Sequence, residues 1–292
     1  MFKKIYFLVA LGLVAASCNV KEERGLCSAP VSVHVNDFRV TIDHFSDTKA
    51  TQNVADYTDL KVLTLAFYNG NEEVFRQSQT NGALAESETF GRFSLALPLG
   101  TYTMVVIGHG LKDGESAVTL TGLHSATFGE NPARETFVAT ETVTINSTAA
   151  VNISATLDRI VSKLQVASSD VRKNPAHSVR MTFAAGGKSF NPTTGLATDN
   201  SGFSNTVNIS TAVGAASLSN SYLFLASDEQ TLDVTIDVLD EEGNVLYTHP
   251  LKDVPFQRNR TTKLTGKLYA NPAISGSFQL ETAWLPNQEV SF

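Results

Sequence analysis

The sequence is poor in the residues that build staples, metal sites and nucleic-acid grooves. It holds two cysteines, one tryptophan and six histidines in 292 residues. Two cysteines cannot supply the framework that holds small secreted domains, so a core must carry the fold. The histidines (His34, His44, His109, His124, His177, His249) show no i, i+4 pair and no Cys or acidic neighbours at ligand spacing, which excludes the common zinc motifs and predicts no metal. Basic clusters are absent and the net charge is −7, so the phosphate attraction that drives nucleic-acid binding is missing and no nucleic acid is expected. There is no Gly-x-Ser-x-Gly elbow and no phosphate loop. Gly108-His109-Gly110 lacks the third glycine of a dinucleotide fingerprint. Asp240-Glu241-Glu242-Gly243-Asn244 lacks twelve-residue calcium spacing and reads as a charged hairpin tip. These absences predict no enzyme and no cofactor.

A sustained helical period is also lacking. What is present is alternation. Val31, Val33 and Val35 alternate with Ser32, His34 and Asn36, the pattern of a half-buried strand. Leu60–Tyr68 is apolar on nearly every position, as in a strand covered on both faces, and Asn69-Gly70-Asn71 supplies a tight turn. Gln77–Thr89 is polar and reads as a loop. Leu232, Val234, Ile236 and Val238 form the cleanest amphipathic strand, returned by Val245–Tyr247. Ile160, Leu164 and Val166 read as one face. Hydrophobic content of 42% suits a sizeable core, and turn signals every 8–12 residues predict an all-β chain of sandwich type.

The N-terminus carries an address. Lys3 and Lys4 precede the uncharged run Ile5–Ala16, which falls short of the roughly 20 apolar residues of a membrane span and reads as a secretory signal. Ala15-Ala16-Ser17-Cys18 resembles the bacterial lipoprotein box, which implies acylation of Cys18 and cleavage before it. Lys21-Glu22-Glu23 is similar to the export signal of surface lipoproteins in Bacteroidota. The predicted divisions are a signal peptide at 1–17, a lipidated tether at 18–30, an N-terminal β-sandwich at 31–156 and a C-terminal one at 157–292. With Cys18 acylated, Cys27 is left as a single thiol in the tail.

Four stretches together resemble the fimbrillin superfamily of Bacteroidota, subunits and anchors of type V pili. They are Val62–Phe75, Phe93–Val106 with its Pro98-Leu99-Gly100-Thr101-Tyr102 core, Leu157–Val166, and Val254–Gly266. The resemblance implies two tandem transthyretin-like Greek-key β-sandwich domains after the lipoprotein signal. It also implies a non-enzymatic surface fimbrial subunit or anchor at the outer membrane that contributes to cell adhesion. Its partners would be other fimbrial subunits, the outer membrane through the lipid, and a surface receptor. In stalk subunits of that family an arginine-specific protease removes the first strand, and a C-terminal strand of another subunit fills the groove. Here the arginines placed for such a cut are Arg39, inside an apparent strand, and Arg24, before it. A donor strand would draw on Phe278, Leu280, Trp284, Val290 and Phe292. These positions lean towards an anchor or accessory subunit. The alternative function is a surface glycan-binding lipoprotein, for which the aromatic platform is thin, since Trp284 is alone.

Overall fold

A computed structural model describes residues 27–41, 49–54, 57–270 and 279–281. All regular elements among them are strands apart from a single 3-10 position at Val54, so the all-β expectation holds. In chain order the first ten are β1 (Ser28–Thr41), β2 (Lys49–Asn53), β3 (Val62–Asn69), β4 (Glu72–Thr80), β5 (Arg92–Pro98), β6 (Gly100–His109), β7 (Thr119–Gly122), β8 (Ser125–Thr127), β9 (Thr136–Ile145) and β10 (Val151–Arg159). There follow β11 (Ser162–Ser168), β12 (Ser178–Phe183), β13 (Ser189–Phe190), β14 (Phe203–Asn208), β15 (Leu218–Leu223), β16 (Glu229–Leu239), β17 (Val245–Gln257), β18 (Thr261–Gly266) and β19 (Gln279–Glu281).

The first sheet runs β2-β1-β10-β9-β6-β3-β4, with β5 on the N-terminal half of β1. β10 meets β9 only at Asp158 and Arg159, opposite Val138 and Phe137. The sheet therefore folds over itself there, and β9-β6-β3-β4 faces β10-β1-β5. Between the layers lies a core that includes Val31 and Val33 from β1, Leu63, Leu65 and Phe67 from β3, Phe93 and Leu97 from β5, Met104 and Val106 from β6, and Leu157 from β10. Fully burying each such side chain contributes about 1.5–3 kcal/mol. Two further four-stranded sheets, β15-β11-β18-β19 and β14-β12-β16-β17, enclose a second core around Leu164, Val166, Met181, Phe183, Ile236 and Phe256.

A third cluster covers the outer face of β3 and β6. Ala66, Tyr68, Val105 and Ile107 meet Leu120, Leu123, Ala126 and Phe128 from a strap between β6 and β9, and Ile160, Phe190 and Phe224 from the second half. β13 pairs with β8 across this seam. Both faces of β3 are thus covered, which is why its sequence shows no alternation. Ile160 belongs to this third cluster, whereas Leu164 and Val166 belong to the second. The expected single face is therefore wrong: the chain leaves one core and enters another between Ile160 and Leu164.

Asn69-Gly70-Asn71 turns β3 into β4, with Gly70 at φ 61°, the left-handed conformation that glycine adopts without strain. β4 runs on to Thr80, into the polar stretch expected to be a loop. Hydrophobic alternation fails there because β4 is an edge strand: Glu72, Glu73, Arg76 and Ser78 face water, and only Gln79 is buried.

Tyr102 closes the β5–β6 turn. Its hydroxyl donates to the Pro98 carbonyl at 2.8 Å, and its ring meets Phe67 edge-on at 6.4 Å. Tyr102→Phe keeps the ring contact and orphans the carbonyl. The expected result is a loss of about 1 kcal/mol in urea unfolding with an unchanged denaturant slope.

Candidate interaction sites: the first strand, the sheet edges and a cleft between the halves

β1 is an interior strand. Residues 28–34 pair antiparallel with β5, residues 37–41 pair antiparallel with β2, and the opposite edge pairs in parallel with β10. Ala29, Val31, Val33 and Val35 are each 3% exposed or less. Removing β1 would open an apolar trench and leave β5, β2 and β10 each without a ladder partner on one edge, the conditions for strand addition. Arg39 sits opposite Asp158 on one side and Thr51 on the other. A protease needs an extended, unpaired backbone, so this position is shielded while the sheet is intact.

Cys18 and Arg24 lie outside the described residues, as do Phe278, Trp284, Val290 and Phe292. Leu280 is described as part of β19, opposite Leu264 of β18. Cys27 is exposed, and its carbonyl accepts the Leu99 N–H at 3.2 Å. The Asp240–Asn244 stretch is the β16–β17 turn, where the Asp240 carboxylate accepts from the Asn244 amide group and backbone. Those hydrogen bonds hold its carboxyl below the usual range. Among the described residues no three His, Cys, Asp or Glu side chains converge as metal ligands.

A cleft of about 380 Å³ lies where the halves meet. Its walls are Val138 and Thr140 of β9, Asp158–Ile160, the turn Pro192–Gly195, and the turn Arg258–Asn259. Gly195 (φ 72°) is tightly enclosed: a Cβ there would stand 2.8 Å from Ile160 Cγ2 and 2.9 Å from Arg258 Nη1. Arg258 donates to the Thr194 carbonyl at 2.8 Å and pairs with Asp228 at 2.8 Å. Arg159 pairs with Glu135 at 2.6 Å, donates to Asn259 Oδ1 at 3.3 Å, and lies 5.4 Å from the centre of the Phe137 ring. Glu135 also accepts from the Tyr57 hydroxyl at 2.5 Å. Burial, joined by the Glu135 hydrogen bond, pushes the Tyr57 phenol up, and burial pushes Tyr222 up to about 12. Each arginine facing the cleft already has its own carboxylate, so the cleft is a charge-balanced joint rather than an anion receptor. It unites residues 100 positions apart, such as Arg159 and Asn259, and no local pattern in the sequence could have revealed it.

His109 anchors the strap beside that joint. It is fully buried at the end of β6 and meets Phe128 edge-on at 5.6 Å. The Val118 N–H donates to Nε2 at 3.2 Å, so Nε2 is bare and Nδ1 carries the proton that is donated to the Gly110 carbonyl at 2.7 Å. Protonating the ring breaks the Val118 bond. Desolvation holds the pKa below 6.5, opposed weakly by the Gly110 bond and Glu115. A base whose folded pKa is depressed binds more protons unfolded than folded. Its contribution is therefore complete above pH 6.5 and is lost as pH falls from 6.5 towards the folded value. Unfolding free energy measured by urea between pH 7.5 and 5.5 should fall by up to about 1.4 kcal/mol per pH unit from this group, and His109→Gln should flatten that slope.

Solved structures align with most of the chain. A Bacteroides ovatus structure described as a "putative adhesin" aligns with a TM-score of 0.50 at 10% identity, over 81% of this chain and 88% of its own. The fimbrial anchor protein Mfa2 from Porphyromonas gingivalis aligns at 0.46 and 11% identity, over 82% of this chain and 91% of its own. At these identities the likeness is one of fold alone. No curated protein matches the sequence. Residues 30–284 match one family, a span that takes in the cleft and the sheets from the third residue of β1 onward, and the chain belongs to the family of unknown function DUF6562.

Proposed function

We propose that the protein is a non-enzymatic surface fimbrial subunit, most simply a fimbrial anchor, held in the outer membrane by a lipid on Cys18 and contributing to cell adhesion. Residues 1–17 are its signal peptide and 18–27 its tether, since β1 already begins at Ser28. Residues 28–159, which end with β10, and 160–292 are two transthyretin-like sandwiches, a division three residues beyond the expected one because Leu157 packs in the first core. It joins other fimbrial subunits by β-strand addition, and a bacterial or host surface receptor is the outer partner.

The observation that carries this reading is the position of β1. The first strand after the tether is interior, apolar on its core side and flanked by ladders on both edges. A strand so placed covers the groove that a donated strand would otherwise fill. Retaining it suits an anchor that starts a fibre and needs no donor itself. The shielding of Arg39 within the sheet favours retention. Leu280, on the outermost strand β19, belongs to the segment best placed to be lent to a neighbour.

The test is mass spectrometry of the mature N-terminus from outer-membrane fractions. A triacylated Cys18 is expected, and Cys18→Ala should move nearly all of the protein out of the membrane fraction, because acyl chains contribute about 0.8 kcal/mol per buried methylene. A start near Val40 would instead mean a processed stalk subunit. An unlipidated monomer that never co-purifies with fimbriae would sink the proposal.

A further inference from the structure

The open edges of this molecule are not equally guarded. Natural sheets blunt edge strands with charge, proline or a bulge, because a bare edge recruits other strands. β4 carries Glu72, Glu73 and Arg76. β17 carries Pro250, Pro255 and Lys252, and bulges at Asp253, whose φ is 54°. β14 and β15 are tied to each other by Asn205 Nδ2 donating to Ser221 Oγ at 2.9 Å. β5 carries Arg92 and Pro98 at its two ends but none of these devices along Phe93-Ser94-Leu95-Ala96-Leu97 between them. Its one ladder partner among the described residues is β1. Ser94 and Ala96 are exposed, and Leu95 is half-buried over the first core.

The ends of the strand are polar in a complementary way. Gln79 ties the end of β4 to the start of β5, donating to the Arg92 carbonyl at 2.8 Å and accepting the Gly91 N–H at 2.8 Å. Arg92 is exposed and has no ion-pair partner among the described residues. The other end of β5 lies beside the β3–β4 turn: Glu72 pairs with Asn69, Tyr68 with Thr103, and the neighbouring Tyr102 bonds Pro98. Glu72 therefore lies towards the Pro98 end of the sandwich, Glu73 being paired with Arg76, and basic Arg92 marks the opposite end.

We propose that β5 is a docking edge for a second copy of this chain, pairing antiparallel with its own counterpart about Leu95. The two-fold arrangement sets Ser94 of each copy opposite Ala96 of the other, the positions whose backbone is open, since the Arg92 N–H and C=O bond Thr89 and Gln79 and Pro98 has no N–H; it brings Arg92 of each copy to the end of the other that carries Glu72, with no like charges facing. A parallel arrangement would place Arg92 beside Arg92. The ladder is short, so the contact is a weak, concentration-dependent one of the kind made by chains crowded on a surface. Because β5 leans on β1, the edge exists in this form only in chains that keep β1. The proposal needs that retention but not the fimbrial assignment.

The experiment uses full chain recovered from membranes in mild detergent, with Cys27→Ser as background. Chains carrying Ser94→Cys and chains carrying Ala96→Cys are mixed and oxidised. A disulfide-linked dimer is expected from the mixture and much less from either variant alone. Ser78→Cys on β4 is the control for random collision. In sedimentation, Ala96→Lys should weaken association about tenfold or more without changing the circular dichroism, since Ala96 is exposed. A strictly monomeric chain at about 100 μM with no crosslink would overturn the proposal, as would crosslinking only to a different polypeptide. Neither result touches the N-terminal mass that tests the anchor assignment.

Discussion

Val33→Asp should leave the first half of the molecule unfolded. Val33 is completely buried in the middle of β1, opposite Ile153 on one side and Phe93 on the other. Its environment is aliphatic and aromatic, with no cation to pair with a carboxylate. An isolated buried charge escapes its desolvation cost only by taking up a proton or by unfolding its surroundings. The expected loss exceeds about 4 kcal/mol, a large share of the roughly 5–15 kcal/mol that holds a domain together. The readout is soluble yield and resistance to protease at 25 °C, both of which should collapse. Val33→Ala removes two methyl groups without adding charge and should cost roughly 2 kcal/mol while leaving the chain foldable. Equal effects from the two substitutions would mean that β1 is not packed as described.

The second large effect is expected at the joint. Arg159→Ala removes the cation that pairs with Glu135 at 2.6 Å and leaves the carboxylate to the Tyr57 hydroxyl. Both side chains are largely buried, at 16% and 14% exposure. Breaking one member of such a pair costs about 3 kcal/mol, whereas replacing both with apolar residues of similar size is often nearly neutral. The double variant Glu135→Leu/Arg159→Met should therefore recover most of the stability lost in Arg159→Ala. Chemical denaturation of the parent, Glu135→Leu, Arg159→Met and the double variant gives the coupling directly. A double variant as unstable as the single one would show that the residues act through packing around Phe137 rather than through charge.

Much of the fold is legible because local pattern and burial agree. Val31, Val33 and Val35 alternate in sequence and in space, and the turns at Gly70 and Asp240–Asn244 fall where residue chemistry places them. β3 is readable for a different reason: its unbroken apolar run reports two covers, the inner core and the strap. What escaped the sequence reading is what no short window contains. Phe128, Phe190 and Phe224 stack in one column, with centroids 6.1 and 4.5 Å apart, yet lie in three separate segments. The strap they clamp reads as loop because β7 and β8 are four and three residues long. The end of β4 was missed because an edge strand has little need of apolar residues. Of the candidate site, the first strand could be foreseen, but its ladders on both edges could not, nor could the pairing of Arg159 with Glu135.

The parallel direction of β1 and β10 has a mechanical meaning. Eight residue pairs join them, from Val31–Val151 to Arg39–Asp158. β1 enters from Cys27 at one end, and β10 leaves from Arg159 at the other. A pull between the N-terminal tether and the second half drags the two strands lengthwise in opposite directions. The hydrogen bonds along the ladder are then loaded together, in shear, instead of being peeled apart one after another. Stretched along this axis, the molecule resists as a lap joint does, and its yield force is set by the length of the overlap rather than by its weakest bond.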